Sequence, residues 1–389
     1  MNTVEFTTAS VAQRLDALFD AGSQSPLPAG SGLHLARATA GARQVLAAAT
    51  DPAKDKGVLG SAECADLCRI VRLARTTHTP LVLLIDSAGA RLDAGLAIQG
   101  ALRALMTELL DASLAGLPMI ALLGRNVFGG ASMLAFAAAQ RCYAPDTVLA
   151  MSGPRVLESA GGGSLAAVRA AIGGAARCRH GGGERLVDDA LPAYAAALRE
   201  WLQALAGGPL PDTLDDERRM LALRLGAAAP AAPAAAARFA LGPGPGGLRC
   251  SGQTSMGAAD ALEFATLADQ LGPPLDLLID CAGHSLHMGD ERLILSQYLV
   301  HLARTLRRRV HLGQQVRLRI GGATSGGIYI ATAGAASSVD IAPGGSVRTL
   351  PQASLSSILS RPAAAISNAG AEFSHYVELG VADSVSALS

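Results

Sequence analysis

The apolar positions along the chain mark out its elements. Residues 81–85, LVLLI, are apolar without interruption, and a second such run, MIALLG at 119–124, follows a stretch at 96–115 with helical spacing. Runs without polar alternation suit strands covered on both faces, so helix and strand are predicted to alternate in an α/β layer architecture. Upstream, Leu67, Ile70, Val71 and Ala74 recur at helical spacing, which predicts a helix over 62–76 that leads through His78-Thr79-Pro80 into the first strand. Residues 10–21 predict a short amphipathic helix, capped by Ser10, with Val11, Leu15, Leu18 and Phe19 on one face and Gly22 as its end. Residues 32–50 predict a hairpin about Gly41. Beyond Gly129-Gly130 a helix is expected through 134–139, then a short strand and turn in YAPDTVLAMSGP, 143–154.

The pattern occurs twice. LVLLIDSAGARLDAG at 81–95 returns as LDLLIDCAGHSLHMG at 275–289, so that Leu81, Asp86, Ala88, Gly89 and Gly95 fall on Leu275, Asp280, Ala282, Gly283 and Gly289. The same offset puts Asp66, Leu73 and Ala74 on Asp260, Leu267 and Ala268. GRNVFGGASM at 124–133 returns as GGATSGGIYI at 321–330. Two similar units of roughly 150 residues are the mark of a duplication, a pseudo-dimer in one chain. The units are expected over 1–205 and 248–389. Residues 206–247, rich in Ala, Pro and Gly with one helix-compatible piece near 215–225, read as the linker. The glycine clusters at 161–163, 173–174 and 181–183 read as surface loops rather than a cover for the first site, and 353–370 as a polar helix-like tail.

Composition narrows the partners. At 389 residues and 50% hydrophobic the chain can bury a core in each half, and its net charge of zero argues against nucleic acid or an anionic membrane held by bulk electrostatics. The arginine run at 304–309 is the basic patch left to account for. Glu5, Arg14, Asp16 and Asp20 interrupt the N-terminal stretch where a signal peptide needs an apolar core, and the longest apolar run, 127–139, falls short of the ~18 residues that span a bilayer. A soluble, cytoplasmic protein is expected. The cysteines lack C-x-x-C spacing and read as free thiols. Cys64 and Cys68 lie one helical turn apart, but no second pair or nearby His completes a tetrahedral metal set, so they read as small buried residues.

The glycine turns carry the candidate chemistry. A Gly-Gly pair between an apolar strand and a helix lets backbone N–H groups converge on open space, and the helix adds its positive end there. Phe128, Gly129 and Gly130 supply this in the first unit, and Ser325, Gly326 and Gly327 in the second. The turns after the preceding strands lie at the carboxyl edge where α/β sheets bind ligands, so Gly89 with Ala90, and Gly283 with His284, offer a further N–H to each oxyanion hole. His284 and His287 are the candidate proton donors, against the alternative of structural hydrogen-bonders.

The GVLG turn at 57–60, the helix after it, LIDSAGARL and VFGGAS together resemble the carboxyltransferase branch of the ClpP/crotonase superfamily. QRLDALFDAGS and SGPRVLE extend the likeness over most of residues 10–190 toward the β subunit of biotin-independent malonate decarboxylase. LLIDCAGHS, GDERL, the SGG turn and ELGVADS resemble its γ subunit. The resemblance implies two tandem crotonase-like (ββα spiral) domains, a β–γ fusion, and decarboxylation of a malonyl thioester whose enolate is held by backbone donors. It implies no cofactor bound by the chain, a substrate carried on a CoA or phosphopantetheine thiol, an acyl carrier protein or CoA thioester as partner, possible partner subunits, and a homo-oligomer. The carboxyltransferase component of a biotin-dependent acyl-CoA carboxylase and a non-catalytic scaffold subunit are the alternatives. The chain departs from the family in being shorter than the two subunits joined and in having APGGSVRTLP at 342–351 where a His-Met segment is expected. It has neither a cysteine-rich zinc ribbon nor a biotinyl-lysine motif.

Overall fold

Strand Leu81–Ser87 is buried along its whole length because it has a helix layer on each side. Val82 and Leu84 pack with Val11, Leu15, Tyr194 and Leu198, from helices Val11–Leu18 and Leu191–Ala204. Leu81, Leu83 and Ile85 face the opposite way, onto Leu67 and Ile70 of helix Ser61–Thr77 and Leu105 of helix Leu96–Leu114. The computed structural model describes residues 4–178, 183–205, 208–227, 239–242, 246–251, 255–349 and 373–386. The expected tail at 353–370 and Gly181 and Gly182 lie outside the described residues.

Two sheets repeat one order. The first runs Ser25–Pro26, His34–Ala40, Arg43–Ala49, Leu81–Ser87, Met119–Phe128, Gln140–Tyr143, Glu184–Leu186, with Val148–Ala150 on the far end of Met119–Phe128. His34–Ala40 and Arg43–Ala49 form the expected hairpin, and every later pairing is parallel. The second runs Phe239–Leu241, Gly247–Cys250, Leu275–Ile279, Val316–Ile320, Ser338–Ile341, Ser384–Val385, again antiparallel at its first pair and parallel after it. Ala323–Ser325 pairs with Ser346–Arg348 beside it, as Asn126 to Phe128 pair with Val148–Ala150.

The second sheet differs in what covers it. Val316–Ile320 alternates buried and exposed, and Asp276 meets Arg317 in a two-pronged ion pair on the outer face. The apolar core joins both sheets through the helices between them. Helix Leu295–His311 packs on Gly130–Ala137, and Leu96–Leu114 packs on Gly326–Ala333, a reciprocal arrangement. Across it Ser132 Oγ lies 2.7 Å from Ser296 Oγ, and Arg307 grips Asp111 at 2.6 and 2.9 Å.

Several expectations change. The helix starts pair Glu63 with Asp260, not Asp66: Gly60 N–H donates to Glu63 Oε2 at 2.9 Å and Gly257 N–H to Asp260 Oδ2 at 2.8 Å. The constant offset fails because the first helix has 17 residues and the second 13. Asp66 instead accepts from the N–H groups of Gly30 and Ser31. The helix after Gly129 starts at Gly130 and ends at Ala137. In the expected linker, helix Leu214–Ala227 is packed structure: Tyr298 Oη donates to Leu221 O, and Glu217 accepts from His301 and Arg304. Three of the four arginines in the run are in ion pairs, Arg304 with Glu217, Arg307 with Asp111 and Arg308 with Asp215 and Asp269, while Arg309 is buried and donates to Ala268 O. Cys64 and Cys68 are buried, and burial pushes the Cys68 thiol up to about 11. No helix among the described residues is long and apolar enough to cross a membrane.

Candidate functional site

A cavity of about 550 Å³ opens where the two glycine turns meet. Gly89, Ala90, Phe128, Gly129 and Gly130 line it from the first half, and His284 and Gly326 from the second. Gly283, Ser325, Gly327 and His287 are not among its lining residues. The turns match closely, since Gly129 and Gly326 hold φ of +58° and +57°, a torsion that favours glycine. Leu59 bridges to Ala90 as Met256 bridges to His284, so Ala90 and His284 hold equivalent places.

Their amide groups have different fates. Gly89 N–H donates to Ser87 Oγ at 3.1 Å and Gly129 N–H to Ala150 O at 3.2 Å, so neither is free for a ligand, contrary to expectation. Ala90 N–H and Gly130 N–H have no partner among the described residues. In the second half Gly327 N–H donates to His284 Nδ1 at 3.3 Å, which removes it from the expected donors. Ser325 Oγ donates to Ala282 O at 2.7 Å and stands where a Cβ on Gly283 would go, so both pack the turn. A Cβ on Gly130 would press on Leu102 at 3.0 Å, and one on Gly327 on Leu299 at 2.8 Å. Gly130 and Gly327 thus also allow the helices to approach, a packing role beside the chemical one.

His284 is buried, and burial lowers its pKa from 6.5 to about 4, so the ring is neutral at pH 7. Its Nε2 lies 3.1 Å from Ser152 Oγ, and Ser152 lines the cavity. Behind Ser152 sits Glu291, which accepts from Met151 N–H at 3.2 Å and Ser152 N–H at 2.8 Å. Burial pushes the Glu291 carboxyl up to about 7 against the pull of Arg177, whose guanidinium is 3.6 Å away and also donates to Glu291 O. Glu291 and Arg177 are both fully buried, and they tie the second half to the wall of the first.

The remaining wall is helices Pro154–Ser159 and Leu165–Ala171, which contribute Pro154, Arg155, Val156, Leu165 and Arg169. The glycines at 161–163 join these helices in a largely exposed turn and are not among the lining residues, in keeping with a surface loop. Lys56, Arg155 and Arg169 are cationic lining residues, and no Asp or Glu is among the described residues that line it. Ser152, Arg155 and Glu291 were within reach of the sequence, since they sit in SGPRVLE and GDERL. Nothing local marked Arg177.

No protein-family model matches the chain, and no curated protein matches it. Among solved structures, a chain of a Pseudomonas malonate decarboxylase hetero-tetramer in complex with malonate is similar at 22% identity and a TM-score of 0.50, over 60% of this chain and 94% of that one. A chain of the Pseudomonas MdcD-MdcE malonate decarboxylase hetero-dimer shares 25% identity over 56% of this chain and 96% of its own, at a TM-score of 0.48. The transcarboxylase 12S hexamer with hydrolysed methylmalonyl-coenzyme A shares 17% over 98% and 86%, at 0.47. The first of these shows the fold alone, which this chain shares with that malonate decarboxylase chain over the part covered.

Proposed function

We propose that the chain is a biotin-independent decarboxylase of a malonyl thioester, built as a β–γ fusion of two crotonase-like units that form a pseudo-dimer. The observation that carries this reading is the pair of unpartnered N–H groups, Ala90 and Gly130, at the wall of a cavity whose charged lining is cationic among the described residues. Loss of CO₂ from a malonyl thioester moves negative charge to the thioester oxygen. Two fixed amide donors, one in the turn after a strand and one at a helix start, stabilise that charge without reorganising. Lys56, Arg155 and Arg169 suit an anionic ligand, either the malonyl carboxylate or the phosphates of CoA or a phosphopantetheine arm. The thioester is its own electron sink, so neither biotin nor a metal is required.

Transfer between carboxybiotin and an acyl-CoA calls for an oxygen at each turn, and the His284 ring against Gly327 N–H supports decarboxylation instead. The cavity and the free donors that line it support an enzyme over a scaffold. A CoA thioester or acyl carrier protein is the expected partner, with further subunits or copies around it. Purified protein given malonyl-CoA or malonyl-carrier protein, with no biotin, ATP or metal, should release CO₂ and yield the acetyl thioester by mass. Inactivity on both, together with carboxyl transfer from carboxybiotin to an acyl-CoA, would move the protein to the carboxylase class.

A further inference from the structure

Two equivalent turns face one cavity, and one difference between them bears on the amide donors: where the first has Ala90, the second has His284. Ala90 leaves Gly130 N–H open, whereas the His284 ring folds back and takes Gly327 N–H on Nδ1. An amide can only donate, so Nδ1 is the acceptor and the ring proton sits on Nε2. Nε2–H therefore donates to Ser152 Oγ, 3.1 Å away. With its acceptor side so engaged, the Ser152 hydroxyl has its own proton left to give, and Ser152 lines the cavity. Ser152 is held from behind by Glu291, which takes its backbone N–H and is itself held by Arg177.

We infer that His284 has closed the second hole and made it a mount for Ser152, which delivers the proton to the carbanion formed on decarboxylation. The inference rests on the decarboxylase reading. When CO₂ leaves, the pair of the broken C–C bond stays on Cα and the thioester oxygen as an enolate. The Ser152 O–H bond then breaks and Cα–H forms with that pair. The Ser152 alkoxide is held by His284 Nε2–H and recovers a proton from a water molecule, whose hydroxide is taken up by the released CO₂ as bicarbonate. The imidazole changes no charge in this cycle, so His284 is a positioning residue and Ser152 the catalytic one.

The test compares wild type, Ser152→Ala, His284→Ala and His284→Gln on malonyl-CoA, with thermal unfolding to verify that each variant folds. Ser152→Ala should lower kcat at least tenfold with KM within about twofold, because the hydroxyl acts after the substrate is bound. His284→Ala should lose kcat likewise. His284→Gln, whose amide can donate to Ser152 Oγ, should recover a good part of it. Wild-type kcat in a folded Ser152→Ala overturns this inference alone, as does a Gln variant no better than the Ala variant. An inactive wild type overturns the decarboxylase reading and this inference with it.

Discussion

His284 couples the site to stability through its proton. Its folded pKa of about 4 lies below the ordinary 6.5, so between those values the unfolded chain binds more protons than the native one. Stability from this residue is therefore present above pH 6.5 and is lost as pH falls toward 4. Glu291 acts in the opposite sense: raised from 4.5 to about 7, it leaves the native state with more bound protons in that window, and its contribution falls as pH rises. The two windows overlap, so the wild-type profile alone separates them poorly. The difference between wild type and His284→Gln isolates the histidine. Urea unfolding across pH 4.5 to 7 should show wild type gaining on the variant up to about pH 6.5 and then a constant gap. A gap that ignores pH would mean that the ring is not buried and neutral.

The turns are elements that can be exchanged. Ala90→His places in the first half the residue that the second half already accommodates, so the new ring should fold back onto Gly130 N–H with little strain. Closing one of two donors should cut kcat by about 10² to 10³ while the chain stays folded. An Ala90→His protein that folds and turns over like wild type would remove Ala90 and Gly130 from the chemistry. Gly130→Val is a poorer probe of the same donor, because its Cβ points at Leu102 and overpacking in a core typically costs about 1–3 kcal/mol. At this scale the sequence was informative where burial is symmetric. The run at 81–85 announced a doubly covered strand, the hairpin about Gly41 fell at its place, and the repeated Gly-Gly pairs lie on equivalent turns. It was misleading where lengths differ, as in the pairing of Asp66 with Asp260. It was silent on which N–H groups are already taken, and on the contact of Ser152 with His284 across 132 residues, since both depend on how the halves meet.

For the molecule as a whole, the halves share one core and not a thin interface. Leu102, Leu105 and Met106 of one half and Leu299, Leu302 and Ile328 of the other belong to one buried cluster, and Arg103 reaches across to Ala333 O and Asp383. Neither half would shield these faces alone, so thermal unfolding should be a single cooperative transition, as expected when folding and association are inseparable. The helix Leu214–Ala227 decides where a cut can be made. Glu217 is largely enclosed against His301 and Arg304, and the hydrogen bond from His301 and the charge of Arg304 hold its carboxyl down to about 2 in spite of desolvation, so this helix goes with the second half. Separate chains of 1–205 and 206–389 should accordingly co-purify as a one-to-one complex when expressed together, with the cavity restored, while each alone aggregates. Two soluble monomers that ignore one another in size-exclusion chromatography would defeat the pseudo-dimer reading, because each half would then have a finished core of its own.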